Sequence, residues 1–201
     1  MTGELLQREQ YAKGGIGRWY WDYRDRRILS YIQEEKDILD LGCGEGITLE
    51  KILRQFPDRN VLGIDYAEEN VSICKEHYLP VRQGSAYALE LDDHSWDCCL
   101  FLEVVEHLPE PQKALREIHR VLRRGGLLLI IFPHDWLFKV ARLSFFKFKE
   151  AFAPSGHVKQ WTPGEMRQTL KQVGFEVEDE ISLPFHFWWC SLHCLVIARK
   201  K

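Results

Sequence analysis

The sequence predicts an α/β fold: a mostly parallel, seven-stranded sheet with an antiparallel last strand and helices on both faces. Three observations predict it. Short apolar runs alternate with amphipathic stretches along most of the chain. A glycine-rich turn, Gly42-Cys43-Gly44-Glu45-Gly46, sits where the first such run feeds the first helical pattern. The last two apolar runs are joined by too few residues for a crossover helix, which suits antiparallel neighbours.

Each element follows from its pattern. Asp37–Leu41 reads as the first strand, and 48–56 as a helix with Leu49, Ile52, Leu53 and Phe56 on one face. Residues 60–66 form the second strand, 68–77 a helix and 79–83 a third strand. The fourth, 96–104, is apolar almost throughout, as a strand covered on both faces should be. Residues 110–124 carry Ala114, Leu115, Ile118, Val121 and Leu122 at helical spacing. Arg123 and Arg124 would suit that helix's negative end, and Gly125-Gly126 would stop it. The fifth strand is 127–132. Thr162-Pro163-Gly164-Glu165 combines a capping box with proline at the first helical position. Strands 177–183 and 194–198 close the sheet.

The bulk numbers bound the function. At 201 residues the chain suits one domain, 1–201. A net charge of -3 gives no global drive toward nucleic acid. Six cysteines lack disulfide-framework spacing, the N-terminus is polar, and no apolar stretch is long enough to span a bilayer. The expected compartment is therefore the reducing cytoplasm.

Glycines between strand and helix let backbone approach a ligand, and the helix N-terminus behind them offers free N–H groups. A dinucleotide site would show G-x-G-x-x-G. Here the spacing is G-x-G-x-G, with Asp40 two residues ahead of Gly42. Asp65 ends the second strand, where its carboxylate can accept both ribose hydroxyls of an adenosine. Both cofactor classes need such an acid, so Asp65 alone does not separate them.

Asp37 to Gly46, Gly63-Ile64-Asp65, Gly84-Ser85-Ala86, Trp96-Asp97, Glu106-His107-Leu108 and Leu122 to Gly126 together resemble the core of class I S-adenosylmethionine-dependent methyltransferases of the type 11 group. The resemblance covers about half the chain and implies the Rossmann-like methyltransferase sheet, with S-adenosylmethionine as cofactor. It implies that Gly42, Gly44 and Gly46 pack against the methionine portion, that Asp40, Cys43 and Glu103 also bind the cofactor and that Asp65 holds the ribose. Tyr66, Ser85 and Ala86 would flank the adenine. The family usually has aspartate where this chain has Ser85, which weakens or replaces the contact to the adenine amino group. The resemblance also implies 1–34 as an N-terminal cap helix region and 136–160 as an insertion or lid after the fifth strand. Arg24 would meet the cofactor carboxylate or lie on a plain surface helix.

Methyl transfer from a sulfonium is an in-line displacement, and an oxygen nucleophile gains from a base or a metal. Candidates at the C-terminal strand ends are Glu103, Glu106 and His107, then His134 and Asp135. His107 or His134 is the expected base. Glu103, Glu106 and His107 with distant His157 resemble the metal-assisted O-methyltransferases of ubiquinone biosynthesis and the enzymes that methylate the 2′-hydroxyl at small-RNA 3′ ends. That resemblance implies a divalent metal. The plainer reading is that the histidines line the pocket and Glu103 touches the cofactor through its backbone. Cys190, His193 and Cys194 supply only three ligands for a structural zinc.

Residues 136–152 hold six large aromatics, which fits core packing, a lid over an apolar acceptor, peripheral membrane contact or a homodimer interface. The expected function is O-methylation of a small, hydrophobic or aromatic acceptor. The alternatives are a metal-assisted RNA 2′-O-methyltransferase and a non-catalytic, cofactor-binding partner subunit.

Overall fold

A computed structural model describes residues 7–134, 137, 157–185 and 187–201. Its centre is one seven-stranded sheet of β1 (Asp37–Leu41), β2 (Asn60–Asp65), β3 (Val81–Gln83), β4 (Trp96–Leu102), β5 (Leu122–Pro133), β6 (Phe175–Leu183) and β7 (His193–Lys200). The order is β3-β2-β1-β4-β5-β7-β6. The first five strands run parallel, and β7 is antiparallel to both β5 and β6.

Side chains alternate across the sheet with period two, so both faces become core. Leu39, Cys99, Phe101, Leu128, Ile130, Phe132 and Val196 pack on one side against α5 (Pro111–Val121) and α6 (Pro163–Gln172). Ile38, Cys98, Leu100, Leu129, Ile131 and Leu195 pack on the other against α2 (Gly15–Tyr31), α3 (Ile47–Gln55) and α4 (Glu68–Glu76). A short α1 (Gln7–Ala12) precedes them. The sheet's two edges are the three-residue β3 and the acid-rich β6, which discourage further strand pairing. Among the described residues no helix is long and apolar enough to cross a membrane.

The α6 capping box forms as expected, Thr162 and Glu165 exchanging side-chain and backbone bonds. The end of α5 does not. The helix stops at Val121, and 122–126 already belong to β5, with Gly125 at φ +73° inside it. Arg123 does not serve the helix dipole, since it bridges Asp37 (2.7 Å) and Asp97 at the N-terminal ends of β1 and β4. The cation at the α5 C-terminus is instead Lys200. Its buried ammonium donates to the carbonyls of His119 and, at 2.7 Å, Leu122. The aromatic stretch 136–152 lies, Leu137 apart, outside the described residues.

Candidate cofactor and acceptor site

The C-terminal ends of the parallel strands and the start of β7 meet at one end of the sheet. There the chain turns sharply after β1. Gly42 takes φ +77°, and a Cβ on it would lie 2.3 Å from Val104, so only glycine fits. Its N–H donates to Ile64 O at 2.7 Å, tying the turn to β2. Gly46, at φ +76°, is the residue preceding α3, and a Cβ there would strike Leu79 and Cys74. Gly44 N donates to Asp65 Oδ2 at 2.8 Å. Asp65 Oδ1 accepts from Ala67 N (2.9 Å) and Asn70 Nδ2 (3.0 Å). Asp65 is thus a pre-set carboxylate whose Oδ2 retains a lone pair for a ligand hydroxyl.

Beside this turn lies a cavity of about 130 Å³ lined by Gln7, Trp21, Arg24, Asp40, Cys43 and Glu103, among others. Asp40 is buried, and its Oδ2 has no hydrogen-bond partner among the described residues. Burial, reinforced by the charges of Asp25 and Asp65, pushes its carboxyl up to about 7 against the pull of Arg24. Opposite it, Arg24 pairs with Asp25 (3.0 Å) and with Glu103. Enclosure alone would raise the Glu103 pKa, yet His193 and Arg24 outweigh it and hold the carboxyl down to about 2.

The predicted site residues fall into two groups. Asp40, Gly42, Cys43, Gly44 and Glu103 line the cavity, and Gly46 and Asp65 flank it through the glycine turn. Tyr66 follows β2 and is 79% exposed, open to an adenine. Ser85 and Ala86 follow β3, and Ser85 Oγ accepts from Tyr87 N at 3.2 Å. The four expected metal ligands divide. Glu106, His107 and His157 place one ligand atom each within 4.8 Å of one another, whereas Glu103 turns toward Arg24 and His193. The long sequence gap to His157 is closed by Val158 N and Lys159 N, which donate to Glu106 O at 2.8 and 3.2 Å. The His107 and His157 rings meet edge-on, 4.8 Å apart. His134 lies at the end of β5 with its ring 4.6 Å from Trp188. Asp135 lies outside the described residues.

Sequence reasoning missed Gln7, Trp21, Tyr20 and His193. Gln7 reaches the cavity because Glu45, inside the glycine turn, accepts the N–H groups of Gln7 and Arg8, both at 2.7 Å. No local pattern announces such a contact. His193 stood only as an incomplete zinc ligand, although its place before an antiparallel strand puts it at the ligand end of the sheet.

The fold and this turn define a Rossmann-like methyltransferase sheet with its ligand end built from β1, β2 and β4. Residues 39–130 match the methyltransferase domain family Methyltransf_11. A probable S-adenosylmethionine-dependent methyltransferase of Mycolicibacterium smegmatis is 30% identical over 83% of this chain and 63% of its own length. A ubiquinone biosynthesis O-methyltransferase of Pseudomonas aeruginosa is 28% identical over 75% of this chain and 69% of its own. A solved S-adenosylmethionine-dependent methyltransferase from Archaeoglobus fulgidus superposes with TM-score 0.73 at 18% identity, over 94% and 96% of the two chains. The chain therefore resembles S-adenosylmethionine-dependent methyltransferases in its fold and over residues 39–130, and it spans less than two thirds of the mycobacterial relatives' length.

Proposed function

We propose that this chain transfers the methyl group of S-adenosylmethionine to an oxygen of a small, hydrophobic or aromatic acceptor. The observation that carries the cofactor half is Asp40. A buried carboxylate oxygen without a partner among the described residues favours a cationic ligand group. S-adenosylmethionine brings a sulfonium and an ammonium, and its carboxylate suits Arg24 across the cavity. A dinucleotide would bring its anionic pyrophosphate against Asp40 and Glu103.

The rest of the chemistry is positioning. The sulfonium supplies a good leaving group, so rate comes from holding the acceptor oxygen in line with the methyl group. Glu103, ionised and paired with Arg24, is a poor base. His107 and His134, at the ends of the strands on the acceptor side, are better placed to take the hydroxyl proton. Glu106, His107 and His157 form a donor set of one carboxylate and two imidazoles, which suits a divalent transition metal or zinc. A metal held there would lower the acceptor hydroxyl's pKa. The exposed Phe185, Phe187 and Trp189, on the connection into β7 at this end, support an apolar acceptor.

The same histidine pair favours a second reading, methylation of an RNA 2′-hydroxyl, against which the negative net charge argues. Calorimetric titration with S-adenosylhomocysteine, repeated after chelation, tests the proposal. Binding is expected in both, while transfer of labelled methyl to a phenolic acceptor drops after chelation. An absence of binding heat would remove the cofactor reading, and transfer to RNA alone would select the second one.

A further inference from the structure

Behind the cavity, three side chains from distant parts of the chain stand in line. The Tyr20 hydroxyl of α2 lies 2.6 Å from Nδ1 of His193, and the two rings stack with centroids 5.6 Å apart. His193 Nε2 lies 3.5 Å from Oε2 of Glu103. The other oxygen of Glu103 accepts from Arg24. Tyr20 and His193 are both buried. Glu103 sits at φ +55°, a conformation that non-glycine residues adopt mainly where surrounding contacts enforce it.

Packing alone does not call for an imidazole here. The next five residues of β7, Cys194 to Ala198, are all buried and apolar, and a leucine at 193 would fill the same space without burying polar nitrogens. Both ring nitrogens instead face polar groups. The Tyr20 hydroxyl donates to Leu183 O at 3.4 Å or to His193 Nδ1 at 2.6 Å according to the tautomer of His193, and the Glu103 carboxylate beside Nε2 favours the tautomer in which Nδ1 accepts. An imidazole proton on Nε2 then faces the Glu103 carboxylate at 3.5 Å, an ion-pair distance longer than an ordinary hydrogen bond. The opposite tautomer would set a lone pair against Glu103.

We infer that His193, backed by Tyr20, is a positioning residue that fixes Glu103 so that the Glu103–Arg24 pair meets the aminocarboxylate head of the cofactor beside Asp40. This rests on the reading above that S-adenosylmethionine occupies the cavity. Glu103 then accepts from the ammonium and Arg24 donates to the carboxylate. Freed from His193, the Glu103 side chain can turn away and take the Arg24 guanidinium with it.

Two measurements on the full chain test this. S-adenosylhomocysteine is titrated into wild type, His193→Leu and His193→Gln. The leucine variant, which packs but cannot donate, should bind about tenfold more weakly, the size of one lost contact to a charged group. The glutamine variant, whose amide N–H reaches toward Glu103, should stay within about threefold of wild type. Equal loss in both variants would mark a merely structural role, and an unaffected leucine variant would overturn the inference outright. Nitrogen-15 spectra of the imidazole read the tautomer without any ligand. A protonated Nε2 and bare Nδ1 are expected, and a protonated Nδ1 would overturn the line of contacts. No binding by wild type would instead sink the cofactor reading and this inference with it, whereas binding by wild type and leucine variant alike sinks this inference alone.

Discussion

Asp40 shows how one residue can oppose the fold and serve the site. Its carboxyl ionises near 7 in the native state against an ordinary 3.8. The raised value means that the native state keeps its proton between about pH 4 and 7, where the unfolded chain has released it. Its relative contribution to stability is thus most favourable at low pH, falls as pH rises through that window and stays low above it. Full ionisation of a carboxyl so displaced costs up to about 4 kcal/mol. Asp40→Asn should therefore raise the melting temperature of the cofactor-free protein most at about pH 8 and by less than half as much at about pH 5. It should also weaken S-adenosylhomocysteine binding by removing a negative charge from beside the ligand's ammonium. Melting curves at the two pH values check the first half, and equal shifts at both would refute it. The sequence placed Asp40, Asp65 and the glycines correctly near a turn because that motif is local. That Asp40 Oδ2 lacks a partner among the described residues, or that Glu103 leaves Glu106 and His107 for Arg24, depends on elements far apart in sequence and was not legible there.

Among the elements, period-two and period-3.6 patterns located the seven strands and helices α3 to α5, because burial on two faces writes itself into spacing, while the capping box marked the start of α6. Boundaries failed where a tertiary contact replaced a local signal. Arg123 and Gly125 looked like a helix terminus, yet Arg123 is held by Asp37 and Asp97, and Lys200 from the last strand caps α5 instead. Burial lowers the lysine's pKa, and the α5 carbonyls compensate the buried ammonium. Lys200→Met keeps the stem's packing but leaves two carbonyls without their donor. A loss of about 1–3 kcal/mol is expected by chemical denaturation. Cofactor affinity should not change, because this contact lies at the opposite end of the sheet from the cavity. A variant as stable as wild type would show that water serves those carbonyls equally well.

Across the whole molecule the polar groups are divided by end. Asp37, Asp97, Arg123 and Lys200 fasten the N-terminal ends of β1 and β4 and the close of α5, while Asp40 and Glu103 line the cavity, with Asp65 behind Gly44 and His193 behind Glu103. The helix α1 begins beside that cavity, where Gln7 lines it, and is held there by Glu45. The two oxygens of Glu45 accept the Gln7 and Arg8 N–H groups, and Arg8 Nε returns a bond to Glu45 O at 2.7 Å. Since α1 buries no residue of its own, these bonds carry much of its attachment. Glu45→Ala removes a capping carboxylate worth about 1–2 kcal/mol, so α1 should detach part of the time. Amide exchange across 7–12 should quicken, and S-adenosylhomocysteine should dissociate faster, with affinity down about 5- to 20-fold. Glu50→Ala breaks the partly exposed ion pairs with Arg8 and Arg54 and should change neither by more than about twofold. If Glu45→Ala quickened exchange but left dissociation untouched, α1 would be a bystander to the cavity and not part of its working wall.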